Sequence, residues 1–72
     1  MATPVYVRPS ANRYLGNANT LEAHDLHSEK AGCQIDEIIA ARHAVVFSPD
    51  TLAQAHTERY DNCAHCIGGS TR

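Results

Sequence analysis

The stretch Tyr60-Asp61-Asn62-Cys63-Ala64-His65-Cys66 sets two cysteines two residues apart behind an aromatic residue and two polar ones. Two thiolates at this spacing can bend around one ion in a tight turn, each sulfur about 2.3 Å from a zinc ion. A tetrahedral ion needs two more ligands. The only other cysteine is Cys33, which leaves one position for a histidine, to be found among His24, His27, His43, His56 and His65. His65 lies between two ligands and would have to reach inward from the turn. His43 and His56 fall near helix ends and read as surface residues. His24 and His27 both precede Cys33 on one loop, and either can reach the site. His24 is favoured because it ends an expected strand, where backbone pairing holds the ring; His27, in a polar loop, has more entropy to lose. The expected ligand set is therefore His24, Cys33, Cys63 and Cys66, with His27 as the alternative to His24.

The size of the chain points the same way. With 72 residues and 7.8 kDa it reads as one domain over 1–72, and a core this small calls for a disulfide, a metal or a partner. Hydrophobic residues make up 43% of the chain, but it has one Phe, one Met and no Trp, so large core-filling side chains are scarce. Three cysteines cannot all pair, which argues against a disulfide framework. Residues 1–13 lack the apolar run of a secretory signal, and the apolar stretch 44–47 is far too short to cross a bilayer. A cytoplasmic, reducing setting with no membrane contact is expected, and there cysteines are thiols or metal ligands. A redox role of the thioredoxin kind would need a βαβ pattern around Cys63 and Cys66, and none is present.

Working back from the cysteine pair, Ser48 and Pro49 read as N-cap and first residue of a helix running to about Glu58, with a thin apolar face of Leu52 and Ala55. Before it, Ala44-Val45-Val46-Phe47 is a short β-prone run. Ile35, Ile38 and Ile39 fall at helical spacing after Cys33, with Asp36 and Glu37 in the first turn, where the helix dipole favours acids. Residues 25–32 are polar and read as the loop that delivers Cys33. Further back, residues 5–15 suggest an extended segment interrupted at Pro9, Gly16-Asn17-Ala18-Asn19 a turn, and residues 20–24 the return strand of a hairpin. Ile67 to Arg72 reads as a frayed tail, with Gly68-Gly69 flexible. The expected fold class is α+β: an N-terminal β-hairpin, two short helices around a short strand, and a C-terminal Cys-x-x-Cys turn, with the metal-site core at about 20–67 and a flexible tail at 68–72.

This order of features resembles the Ada-type metal-binding fold. Cys33, the isoleucine-bearing helix, the strand ending in Phe47, the helix after Ser48 and the run from Tyr60 to Cys66 carry the likeness, which spans about residues 24–67. The resemblance implies one tetrahedral zinc in a small α+β domain, with His24 in the first ligand position. In the DNA-repair member of that fold the first ligand is a cysteine that accepts a methyl group. An imidazole cannot replace a thiolate nucleophile, so methyl transfer is not expected here. Basic residues around the family's final Cys-x-x-Cys are replaced here by Asp61, Asn62, Ala64 and His65.

The net charge of −2 and a single lysine give little attraction for phosphate, and three zinc-bound thiolates around a dication make the chain slightly more acidic. The acids are scattered, no Ser-His-Asp order stands out, and Gly68-Gly69 follows no strand that could make a phosphate loop. The expected function is a structural zinc module, not an enzyme, that presents a surface to a protein partner. A tyrosine-bearing patch around Tyr6, Tyr14 or Tyr60 would mark that surface. The second reading is a nucleic-acid-binding zinc domain using Arg8, Arg13 and Arg42, with the tyrosines stacking on bases. Iron suits a thiolate-rich tetrahedral site as well as zinc does.

Overall fold

Short β-prone runs and two brief amphipathic helices account for the elements of the computed structural model, which describes residues 2–28, 31–63, 67 and 68. In chain order these are β1 (Ala2–Pro4), β2 (Tyr14–Asn17), β3 (Glu22–Asp25), α1 (Ile35–Ala40), β4 (Ala44–Phe47), α2 (Leu52–Thr57) and β5 (Asp61–Asn62). Two turns of 3₁₀ helix, Leu26–Ser28 and Ala31–Cys33, lie between β3 and α1. The strands form one sheet in the order β1-β4-β2-β3-β5. All pairs are antiparallel except β3 with β5, which run parallel. The radius of gyration, 10.5 Å, is that of a compact chain of this length.

Strand alternation divides the core in two. Leu15 and Ala44 point to one face, where they pack with Cys33, Ile35, Ile38 and Cys63 under α1. Ala23, Val45 and Phe47 point to the other, where Ala55 of α2 and Tyr60 cover them. A one-residue slip in register would exchange these two sets. Gly16 lies in β2 on the second face, and the edge-to-face pair Phe47–Tyr60, with centroids 5.0 Å apart, packs directly over it. Burial at this point, with Glu58 nearby, pushes the Tyr60 phenol up.

Both helices end in the same way. After α1, Arg42 adopts φ 64°, and the amides of Arg42 and His43 donate to the carbonyls of Ile39 and Ile38. After α2, Arg59 adopts φ 72°, and the amides of Arg59 and Tyr60 donate to His56 and Ala55. This is the Schellman closure, which satisfies the last carbonyls with one left-handed residue, a position that glycine fills with least strain. Arg59→Gly is therefore expected to raise stability by about 0.5–1 kcal/mol, part of the relief being offset by glycine's larger entropy when unfolded. The check is a urea titration, with the midpoint moving up at unchanged slope.

Several expectations from sequence need correction. Gly16 and Asn17 belong to β2 and not to the turn; the hairpin closes over residues 18–21, with Leu21 at φ 59° and the Asn17 side chain accepting from the Asn19 amide. Residues 5–13 form no strand, and the first extended piece is instead β1, paired to β4. Thr51, not Ser48, caps α2: its hydroxyl accepts from the Gln54 amide at 3.1 Å, and Ser48 and Pro49 are left to the turn out of β4. Asp50 stays outside the helix because its carboxylate accepts from the amides of Arg13 and Tyr14, at 2.6 and 3.0 Å, pinning the start of β2. Ile67 is not frayed; it packs against the core under α2, and the Gly68 carbonyl accepts from the Asn62 side chain. Residues 69–72 lie outside the described residues.

Candidate metal centre

His24 is the third residue of β3, paired across the ladder with Leu15, so strand alternation turns its ring to the α1 face. The strand end is held by Arg13 through both backbone and side chain. The Leu26 amide donates to the Arg13 carbonyl at 2.7 Å, and the Arg13 guanidinium reaches the Asp25 carboxylate through Nε and Nη2. Burial by itself pushes the Asp25 carboxyl up, but the Arg13 hydrogen bonds and the His27 amide outweigh it and hold the carboxyl below its ordinary range. Cys33 closes the second 3₁₀ turn and is followed by Gln34 at φ 55°, which reverses the chain into α1 and leaves the thiol inside the core. Cys63 follows β5. Its amide donates to the Ala23 carbonyl at 2.9 Å, so the parallel ladder sets it beside the strand that carries His24. Ile67 and Gly68 both donate to the carbonyl of Cys63.

The outcome is a buried cluster from three distant points of the chain. The donor atoms of His24, Cys33 and Cys63 all lie within 4.8 Å of one another. The two sulfurs are 3.7 Å apart, against about 2.05 Å in a disulfide and about 3.8 Å for two thiolates on one tetrahedral zinc at 2.3 Å each. All three residues are buried, His24 being 4% exposed. They line a pocket of about 250 Å³ together with Asn17, Thr20, Glu22, Gly32, Gln34 and Ile38.

No family model, curated protein or solved structure matches this chain. The centre is therefore read from its own geometry. Two thiols and an imidazole converging in a core are a donor set that can hold a metal ion, and backbone pairing places two of them, His24 and Cys63. Of the residues expected at the site, His24, Cys33 and Cys63 are brought together; Cys66 and His65 lie outside the described residues. His27 is exposed, its amide donating to Asp25. His43 follows α1, half-buried, and His56 is exposed with Nε2 2.6 Å from Asn62 Oδ1. Neither belongs to the cluster. Sequence reasoning missed the pocket residues Asn17, Thr20 and Glu22. Alternation along β3 was the available signal for Glu22, since it shares a face with His24 two residues on.

Proposed function

We propose that this chain is a structural zinc-binding module that serves protein interaction. The observation that carries this reading is the convergence of His24, Cys33 and Cys63, drawn from β3, the approach to α1 and the end of β5, on one buried point. Cys66 completes the set as fourth ligand, three residues after Cys63 in the spacing that suits a zinc turn. The ion supplies the cross-link that the core lacks: among the described residues only Phe47, Leu15 and Ile35 are large side chains that are fully enclosed. The ligand order His24, Cys33, Cys63, Cys66 keeps the likeness to Ada-type domains while leaving no thiolate at the first position to accept a methyl group.

Protein interaction is favoured over nucleic acid by where the arginines are engaged. Arg8 pairs with Asp36, Arg13 pairs with Asp25 and stacks by Tyr14, and Arg42 lies over the Tyr6 ring. Tyr6 and Val7, 64% and 75% exposed, offer an apolar surface, whereas Tyr60 is buried. Among the described residues no helix is long and apolar enough to cross a membrane.

Native mass spectrometry tests the reading. One zinc per chain is expected for the wild type and for His27→Ala, and a lowered occupancy for His24→Ala and Cys66→Ala. In the cobalt-substituted protein the sulfur-to-metal absorption should fall in Cys66→Ala in proportion to the thiolate removed. A wild type that takes up no metal at neutral pH, or iron in preference to zinc, would overturn it.

A further inference from the structure

The pocket beside the three donors is larger than an ion requires. Its volume of about 250 Å³ is several times the roughly 30 Å³ that one water molecule occupies in the liquid, so space remains once a metal is held. Among the described residues its rim is polar and carries one sign of charge. Glu22 supplies a carboxylate, Asn17 and Gln34 supply amides, and among the described residues neither lysine nor arginine lines the pocket. The Thr20 hydroxyl donates to Glu22 Oε1 at 3.0 Å and fixes the carboxylate, which still has lone pairs to offer on both oxygens. Zinc-bound thiolates are themselves acceptors. Three of them around a dication leave the centre anionic, so metal loading does not reverse the sign of the pocket. The start of α1 lies at one side through Gln34, and Asp36 and Glu37 in its first turn offset the positive end of the helix dipole.

We infer that this pocket accepts the guanidinium of an arginine presented by a protein partner. The inference rests on the zinc reading and names the chemistry of the partner. A guanidinium suits the site better than an ammonium because the acceptors are spread over Glu22, Asn17, Gln34 and the sulfurs. A planar fork of five donors can address several of them at once, and it is the more weakly hydrated of the two cations. The methylene stem of the same side chain can lie against Ile38, which lines the pocket from α1.

The test is an amide chemical-shift titration of the zinc-loaded chain, with zinc content measured on the same sample by native mass spectrometry. The probe is N-acetyl-arginine methylamide, and the control is its neutral isostere, the citrulline analogue. Saturable shifts confined to Asn17, Thr20, Glu22, Gly32 and Gln34 are expected with the arginine probe. Binding of the citrulline probe, and of the arginine probe to Glu22→Gln, is expected to be weaker by about tenfold or more, with zinc content unchanged. Equal shifts from both probes, or shifts that survive Glu22→Gln, would sink the pocket while leaving the zinc centre in place. A chain without zinc would remove both readings. Concentration-dependent self-association that shifts the same amides without any probe would give the pocket to a second copy of the chain and overturn the partner.

Discussion

Cys63→Ala should leave the chain without metal and largely unfolded at 25 °C. The expected loss exceeds that of an ordinary core truncation because two contributions disappear together. The side chain is buried between Leu15, Cys33 and the α1 isoleucines, so its removal costs packing. In the proposed zinc module it is also a ligand, and the binding free energy of a structural zinc, about 10–16 kcal/mol in small zinc domains at neutral pH, is in such domains folding free energy. Small zinc domains of that kind are unfolded without their metal, and a core this small needs such a staple, so loss of the ion is expected to unfold the chain. Cys33→Ala should behave in the same way. Circular dichroism with native mass spectrometry checks this, together with a chelator added to the wild type. Chelation should reproduce the mutant spectrum, and returning zinc should restore the wild type but not Cys63→Ala. A Cys63→Ala chain with wild-type dichroism and an unchanged melting curve would show that the three donors are a packed cluster with no metal role.

Gly16→Ala should cost about 2–3 kcal/mol without removing any of the metal donors. A methyl group built at Gly16 would lie 2.8 Å from Phe47 Cζ, 2.9 Å from Tyr60 Cε2 and 2.9 Å from Val45 Cγ2. All three approaches are closer than side chains tolerate, and the ring atoms cannot rotate away singly, because Phe47 and Tyr60 brace one another in an edge-to-face contact. Relief requires the aromatic pair to lift from β2, which loosens the core under α2 and the approach to Cys63. The measurement is chemical denaturation at fixed free zinc, since bound metal shifts the midpoint by mass action. The double variant Gly16→Ala with Phe47→Leu should be less destabilised than the sum of the two single ones, because the second change removes the ring that the methyl meets. A Gly16→Ala chain within about 0.5 kcal/mol of wild type, the range of ordinary surface changes, would contradict the packing described.

Local chemistry determined a good part of this protein. The spacing of Ile35, Ile38 and Ile39 behind an acidic first turn specifies α1, the run Ala44-Val45-Val46-Phe47 specifies β4, and the chain on either side of Ala18-Asn19 folds back as a hairpin. Each of these rests on neighbours within one or two turns of chain, so it is legible without knowing the rest. The residues that could make a metal centre are legible for a similar reason, since thiols and imidazoles are few here and their chemistry is intrinsic.

What the tertiary structure decided was placement. Gly16 followed by Asn17, Ala18 and Asn19 has the composition of a turn, yet Gly16 is a strand residue because an aromatic pair contributed from residues 47 and 60 leaves room for no side chain there. Ser48-Pro49 and Thr51 are competing helix starts, and the choice falls on Thr51 while Asp50 is tied to amides some 36 residues earlier. Cys63 reaches His24 only because β5 pairs with β3 in parallel, with Ala23 opposite Asn62, a register that no local pattern in either segment encodes. The identity of each donor was written in the chain. Their convergence was not, because it depends on hydrogen bonds between strands far apart in sequence, and these become favourable only when the whole sheet forms.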